Sequence, residues 1–200
     1  GIGTMGPNGG GTGEEQGCND GIDIYFGTFA KSFALIGGFI SSTKEIITFL
    51  RYNMRSQIFA KSLPMPLVIG LLKRLELLNK HPEYRTKLWN IAMSLQKGLV
   101  DAGFNIGDTN TMVTPVYMNG SIPEATNMVI DLRENFGIFC SMVVYPVIPK
   151  GMIILRLIPT AVHTQEDVKY TIESFSQIKD KLYGGKYAAD KIRAGFSQAL

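Results

Sequence analysis

Residues 22–41 read IDIYFGTFAKSFALIGGFIS, and this stretch decides how the N-terminal part of the chain should fold. Two short apolar segments, IDIYF at 22–26 and LIGGFIS at 35–41, predict buried β-strands on either side of the turn GTFAKS. Continuous apolar strands of this kind favour a sheet that is covered on both faces. Lys31 lies in the middle of the stretch, so its ammonium group must be paired, reach solvent or be held neutral for chemistry.

The turn around Lys31 has the composition of a site at which a lysine amine reacts with an aldehyde. Its small residues present a hydroxyl, that of Thr28, three positions before the lysine. Desolvation by apolar neighbours would favour the neutral, nucleophilic amine, and Thr28 together with N–H groups of the turn could hold a phosphate. The alternative is an ordinary surface lysine, which composition alone favours because most lysines are exposed.

The bulk composition indicates a globular chain and argues against several classes of protein. Its 200 residues are 45% hydrophobic, which suits one or two domains with a buried core. A net charge of +3 without a basic block gives no reason to expect nucleic-acid binding. No uninterrupted apolar run reaches the roughly 18–20 residues that cross a bilayer. Cys18 and Cys140 lie far apart without metal-ligand spacing, which predicts no metal site and suits a reducing cytoplasm.

The glycine-rich opening, GIGTMGPNGGGTGEEQG, is predicted to be an irregular loop. Its first six residues fit the dinucleotide pattern G-x-G-x-x-G. That pattern needs a strand before it and a helix opening through it, whereas Pro7 and further glycines follow, which cannot start a stable helix. The opening also lacks a starting methionine and the regions of a signal peptide, so we expect the numbering to begin inside a longer protein.

Helix and strand signals alternate along the rest of the chain. Ser42 or Thr43 predicts the N-cap of a helix through IITFLRYN, and a second helix follows LPMP and runs to about Leu78. After His81 and Pro82, the apolar spacing predicts a helix that ends at Gly103.

The C-terminal segments follow the order β, α, β, β, α. They read MVTPVYM, PEATNMVIDLRENFG, IFCSMVVYP, MIILRLIPT and TQEDVKYTIESFSQIKDKL. Thr164 with Asp167 predicts a capping box for the last helix. We interpret the chain as two domains, 1–80 and 81–183, followed by a polar tail at 184–200. The tail KYAADKIRAGFSQAL is interpreted as solvated, with weak peripheral contact to a membrane surface as the alternative.

Arg156 lies inside the apolar strand MIILRLIPT with no acidic residue nearby in sequence. A guanidinium keeps its charge and gives a carboxylate two parallel hydrogen bonds, so Arg156 is a candidate clamp for the carboxylate of an amino acid. The alternatives are a salt bridge to a distant acid and an edge position with the head group in water. His81 and His163 lack companions for a metal or nucleophile site and are interpreted as structural.

Four segments, taken in order, resemble the landmarks of the α-oxoamine synthases, pyridoxal-phosphate enzymes of fold type I. GIGTMGPNGGG resembles the segment after the family's D-E-A-H motif, and GTFAKSF resembles its cofactor-lysine motif. IFAKSLPMP is similar to its inter-subunit loop, and LRLIPTAVHT to its carboxylate-binding motif. The resemblance covers nearly all of the chain. The amino-acid sequences of three segments are most similar to those of bacterial serine palmitoyltransferases: FGTFAKSFALIGGF, FAKSLPMPLV and YPVIPKG.

The resemblance implies an aspartate aminotransferase-like α/β fold, with 1–80 as the C-terminal part of the large domain and 81–183 as the C-terminal α+β domain. It implies that Lys31 forms the Schiff base with pyridoxal phosphate and later carries the proton of the substrate Cα. Thr28 would bind the cofactor phosphate, and Arg156 would hold the substrate carboxylate. The implied reaction is a decarboxylative condensation of L-serine with palmitoyl-CoA that gives 3-ketosphinganine. The site would be shared across the interface of a homodimer.

The sequence departs from the family pattern at several positions. The loop before Leu63-Pro64 often carries a serine or threonine that reaches the neighbouring subunit's phosphate; here Ala60 and Lys61 stand there, which leaves Ser62 or a backbone group for that contact. The usual arginine of the glycine loop is Gly10, and the usual glycine three residues after the lysine is Ala34.

The family's ring-stacking histidine would directly precede Gly1, and its pyridine-binding aspartate would lie slightly earlier. We therefore expect residues 1–200 alone to be inactive. The alternative activities are those of glycine C-acetyltransferase, 8-amino-7-oxononanoate synthase, 5-aminolevulinate synthase or an aminotransferase without acyl-CoA. The non-enzyme alternative is a catalytically silent regulatory relative. The presence of both Lys31 and Arg156 favours an enzyme, because a binding partner needs neither.

Overall fold

The computed structural model describes residues 1–60 and 62–188. Lys61 of the predicted inter-subunit loop and positions 189–200 of the predicted tail lie outside the described residues. The chain divides into two compact units, Gly1–Thr86 and a second unit that begins at Lys87. Each unit is described by itself.

The first unit begins with the glycine-rich loop, which contains one short helix, α1. It continues through a 3₁₀ turn, a two-stranded antiparallel sheet and three further helices. These elements are α1 (Thr12–Glu15), the turn Asn19–Gly21, β1 (Tyr25–Thr28), β2 (Gly38–Ser41), α2 (Lys44–Asn53), α3 (Arg55–Phe59) and α4 (Met65–Lys80). The helical turn α1 corrects the prediction that the whole opening is irregular.

The helices of the first unit begin where local chemistry starts them. The side chain of Thr43 accepts a hydrogen bond from Ile46 N at 3.5 Å, which confirms the predicted N-cap of α2. Pro66 stands in the first turn of α4, where a missing N–H costs no hydrogen bond. The short helix α3 was not predicted, because RSQIF is too brief to show a helical period.

The prediction of two buried strands covered on both faces is wrong for this unit. β1 and β2 pair only with each other among the described residues, and Phe26 on β1 is 70% exposed. Ile24 and Ile36 beside the strands are 49% and 66% exposed. Two strands form a ribbon whose faces need further strands or helices to cover them, and the first unit does not supply these layers.

The second unit is a three-stranded antiparallel sheet with helices packed on its inner face. Helix α5 (Glu83–Asp101) leads into it. The elements that follow are β3 (Thr114–Asn119), α6 (Ile122–Phe136), β4 (Ser141–Val143), β5 (Met152–Leu157) and α7 (Gln165–Tyr183). The sheet order is β3-β5-β4, so β5 is central. The predicted order β, α, β, β, α is confirmed.

The core of the second unit comes from alternate residues of the strands and one stripe of each helix. On β5, Ile153 and Leu155 are fully buried, whereas Arg156 between Leu155 and Leu157 is exposed. The helices contribute Leu99, Met128, Leu132, Phe175 and Ile178, all with 0% exposure. Cys140 joins this core, and burial raises the pKa of its thiol to about 11.

Capping side chains define the ends of the helices in this unit. Thr164 accepts a hydrogen bond from Asp167 N, and the Asp167 carboxylate accepts one from Thr164 N at 2.7 Å, which confirms the predicted capping box. Ser121 and Glu124 form a second capping box at α6. Gly137 closes α6 at φ 64°, in the left-handed region that suits glycine.

A cluster of charged and polar groups holds the segment after α7 against α6. Lys181 Nζ lies 2.7 Å from Asp131 Oδ2, and the hydroxyl of Tyr187 donates to the same oxygen. Burial raises the pKa of Asp131, but hydrogen bonds from Lys181, Tyr187 and Asn135 outweigh this and lower it overall. Tyr187 falls in the predicted tail and is 6% exposed, and its pKa is raised by burial and by the carboxylate.

Candidate active site

The glycine-rich loop and the turn around Lys31 border one pocket in the first unit. Its volume is about 410 Å³, within the range of small-molecule sites. Thr28, Lys31 and Ser32 are among the residues that line it. The glycine-rich loop contributes Gly1, Ile2, Gly10, Gly11, Thr12 and Gly13 to the lining. The structure therefore brings Thr28 and Lys31 together at one pocket.

Backbone hydrogen bonds and buried aromatic rings hold the turn that carries Lys31. Phe29 N donates to Gly37 O at 2.9 Å, and Leu35 N donates to Phe29 O at 2.8 Å. Phe29 and Phe33 are buried, with their ring centroids 5.8 Å apart in an edge-to-face contact. The apolar residues around Lys31 therefore anchor the turn, and the lysine between them is exposed. Within this unit, the predicted desolvation of Lys31 is not present.

Ala34 closes the turn in a strained conformation. Its N–H donates to Lys31 O at 2.9 Å, and its φ is 47°, in the left-handed region. It is the only residue other than glycine with positive φ among those that the structure describes. This is the position at which the resemblance expects a glycine, so the departure has a conformational cost.

Two glutamates organise the glycine-rich loop, and sequence reasoning missed both. Glu14 accepts hydrogen bonds from Gly10 N at 2.7 Å and from the Asn8 side chain at 2.6 Å, and Glu15 accepts one from Gly6 N at 2.8 Å. The hydrogen bonds from Gly10 and Asn8 lower the pKa of Glu14. A Cβ atom on Gly10 would lie 2.8 Å from the Glu14 carboxylate, so a larger residue there would require the Glu14 side chain to move.

The loop is tied to the turn by one side chain. Ser32 Oγ donates to Ile2 O at 2.6 Å, which joins the residue after Lys31 to the start of the loop. Neither this contact nor the glutamate contacts follow a sequence period, so only the folded chain reveals them.

Ser62 lies at a different pocket of the first unit. That pocket measures about 860 Å³, and Phe39, Ala60 and Leu63 also line it. The structure therefore does not bring Ser62 to the pocket of Thr28 and Lys31. The resemblance assigns Ser62 to the neighbouring subunit's phosphate, so its role stays a prediction.

Arg156 lies on β5 in the second unit, and its side chain is exposed. Its Nε donates a hydrogen bond to Ser141 Oγ at 3.0 Å. Within residues 1–60 and 62–188, no carboxylate forms an ion pair with it. The alternative of a salt bridge is therefore not found in the described part of the chain. The central position of β5 also differs from the edge position that was considered.

Both histidines have local partners. His163 Nδ1 accepts a hydrogen bond from Thr160 N at 2.9 Å, and His81 Nδ1 lies 2.7 Å from Glu83 Oε1. Among the described residues, no group of three or more His, Cys, Asp or Glu side chains is placed to hold a metal ion. No helix in the same part of the chain is long and apolar enough to cross a membrane.

Residues 7–175 match the family model for aminotransferase class I and II. The chain belongs to this family. Its relatives include serine palmitoyltransferases and 8-amino-7-oxononanoate synthases, which confirms the predicted resemblance to α-oxoamine synthases.

The curated relatives of this aminotransferase-family chain differ in their similarity to it. Cysteate-C-fatty acyltransferase of Capnocytophaga ochracea is 59% identical over 189 residues, which cover 94% of this chain and 45% of the relative. Serine palmitoyltransferase of Sphingobacterium spiritivorum is 30% identical over 177 residues, covering 88% of this chain and 44% of the relative. The chain thus spans less than half the length of these relatives.

Solved structures show the same fold. A serine palmitoyltransferase determined with pyridoxal phosphate has a TM-score of 0.80 and 32% identity, covering 88% of this chain and 44% of that one. The serine palmitoyltransferase of Sphingomonas wittichii has a TM-score of 0.81 and 30% identity, covering 89% and 45%. The predicted fold type I architecture is confirmed.

Proposed function

We propose that this chain carries the cofactor lysine and the carboxylate clamp of a pyridoxal-phosphate-dependent α-oxoamine synthase. The reaction joins an amino acid to a fatty acyl-CoA, with release of carbon dioxide and CoA. The observation that carries the proposal is the pocket at which Lys31, Thr28 and the glycine-rich loop meet.

The residues at this pocket fit pyridoxal phosphate. Its aldehyde requires an amine, which Lys31 supplies, and its phosphate requires hydrogen-bond donors, among them the hydroxyl of Thr28. Four glycines of the loop, Gly1, Gly10, Gly11 and Gly13, also line the pocket and place no side chain in it. When bound, the cofactor supplies an electron sink for the pair left at the substrate Cα.

The chain's own residues would then bind, orient and move a proton. Lys31 would accept the Cα proton of the amino acid and return a proton after the condensation. Arg156 would hold the α-carboxylate until it leaves as carbon dioxide, because its two Nη groups match the two oxygens. Ser62 of the neighbouring subunit would contribute to binding the cofactor phosphate.

The amino acid is proposed to be L-cysteate, with L-serine as the second candidate. Cysteate is favoured because the cysteate acyltransferase is 59% identical to this chain, against 30% for a serine palmitoyltransferase. Serine is favoured by the structural match at a TM-score of 0.80. The product from cysteate would be a 2-amino-3-oxo sulfonate, and that from serine and palmitoyl-CoA would be 3-ketosphinganine.

A homodimer in the cytoplasm completes the proposal. Apolar side chains of the first unit support an interface, since Tyr52 and Phe59 are 78% and 76% exposed and would be covered by further protein surface. The two cysteines, Cys18 and Cys140, are free, which supports a reducing compartment.

The test uses the full-length protein that contains this chain, supplied with pyridoxal phosphate. Release of the CoA thiol from palmitoyl-CoA is measured with L-cysteate and with L-serine. Lys31→Ala should abolish release, whereas Lys44→Ala, at another exposed lysine of the first unit, should retain it. Residues 1–200 expressed alone should release no CoA.

Other outcomes identify the alternatives. Transfer of the amino group to a keto acid without CoA release would indicate an aminotransferase. Activity only with the substrates of glycine C-acetyltransferase or 8-amino-7-oxononanoate synthase would reassign the substrate. No reaction in the cofactor-loaded protein would leave a non-catalytic relative.

A further inference from the structure

Ser141 lies directly opposite Arg156 in the antiparallel ladder between β4 and β5. Its hydroxyl oxygen accepts the hydrogen bond from Arg156 Nε at 3.0 Å. Directly opposed residues of neighbouring antiparallel strands project from the same face of the sheet. The backbone register therefore holds the hydroxyl beside the guanidinium.

The same face offers Arg156 little other polar contact. Its partner on the opposite strand, β3, is Pro115, which has no side-chain hydrogen-bonding group. The next row of the face consists of Tyr117, Ile154 and Val143. Ser141 is thus the hydroxyl in the row of Arg156, and without it the side chain would lose the contact that fixes its orientation.

The hydrogen bond determines which edge of the guanidinium is left for a ligand. A guanidinium has one N–H on Nε and four on its two Nη atoms. Ser141 takes the Nε–H, so the Nη pair remains for a carboxylate with two parallel hydrogen bonds. We propose that Ser141 is a positioning residue that fixes the plane of Arg156 so that its Nη edge meets the α-carboxylate of the substrate. This inference rests on the proposed function.

The test is calorimetric titration of amino acids into the full-length protein loaded with pyridoxal phosphate. Ser141→Ala should weaken binding of L-cysteate and L-serine about three- to tenfold, the size expected for one hydrogen bond that orients a charged group. Ser141→Thr keeps the acceptor oxygen and should restore binding. Ser176→Ala is the matched control, because its hydroxyl donates to Ile172 O at 3.0 Å in the same unit.

Ligands without the α-carboxylate separate positioning from a general structural effect. Taurine and ethanolamine keep the amine and the side-chain group of cysteate and serine, so Ser141→Ala should leave their binding unchanged. Equal weakening for these amines would overturn the inference. In an Arg156→Ala background, adding Ser141→Ala should have no further effect.

Arg156→Ala distinguishes failure of the inference from failure of the proposed function. If Arg156→Ala weakens binding of the acids and Ser141→Ala does not, Ser141 has no positioning role and the proposed function stands. If Arg156→Ala leaves acid binding unchanged, or if the unmodified protein binds neither acid, the carboxylate clamp is wrong and the inference falls with it.

Discussion

The two compact units bury their apolar residues to very different degrees. In the second unit, Leu99, Met128 and Phe175 are fully buried in one continuous core. In the first unit, Phe26 and Tyr52 are 70% and 78% exposed. The second unit therefore has the core of an independent domain, whereas the first needs additional protein surface to cover apolar side chains that its sequence marks for burial.

The largest expected effect is a difference in folding between separate fragments. Residues 87–188 should unfold cooperatively in urea, because their core is closed. Residues 1–86 should show no cooperative transition and should bind a hydrophobic dye. Circular dichroism and dye fluorescence of the two fragments provide the measurement. A cooperative transition in residues 1–86 would contradict the claim that only the second unit has the core of an independent domain.

A matched pair of substitutions tests the same contrast inside the 200-residue chain. Phe175→Ala should cost about 3–5 kcal/mol of unfolding free energy, because it leaves a cavity in a closed core. Phe49→Ala removes a side chain that is 64% exposed and should change the unfolding free energy by less than about 0.5 kcal/mol. Urea denaturation measures both. Similar costs at the two positions would contradict the comparison.

The second unit could be predicted from sequence because its signals are local. The apolar spacing of its helices, the Thr164 cap and Gly137 each act within a few residues of the chain. The strands around Lys31 were misjudged for the opposite reason. An apolar run shows that a strand is suited to burial, but not whether neighbouring layers are present in the same chain.

The residues of the candidate site also divide into those that local sequence reveals and those that only the folded chain reveals. Lys31 and Arg156 could be chosen from sequence, because a cation among apolar residues is conspicuous. Glu14 and Ser141 could not, because their contacts depend on loop conformation and on strand register. These contacts become visible only when the folded backbone brings the partners together.

The hydrogen bonds that Asp131 accepts from Lys181, Tyr187 and Asn135 give a pH-dependent test of the difference between the two units. The pKa of Asp131 is lowered from 3.8, so its contribution to stability is present above that value and is lost as pH falls through the folded-state pKa. Asp131→Asn should cost about 1–3 kcal/mol at pH 7, and the difference from wild type should shrink near pH 3. Urea denaturation at both pH values measures it. Glu14→Gln, at an exposed carboxylate of the first unit, should have a smaller effect; a larger one would reverse the comparison.

An effect smaller than those at Phe175 and Asp131 is expected at Ala34, the strained residue of the Lys31 turn. Ala34 has a φ of 47°, where its Cβ meets steric cost, and Ala34→Gly relieves that cost. Glycine also gains conformational freedom in the unfolded chain, which offsets part of the relief. We expect a net stabilisation of about 0.5–1 kcal/mol in the full-length protein, measured by urea denaturation.

Ala30→Gly, at another exposed alanine of the same turn without a positive φ, should instead destabilise the protein, since it adds freedom to the unfolded chain and relieves no strain. If both substitutions destabilise the protein equally, the left-handed conformation of Ala34 has no steric cost, and the first unit contains no backbone strain at this turn.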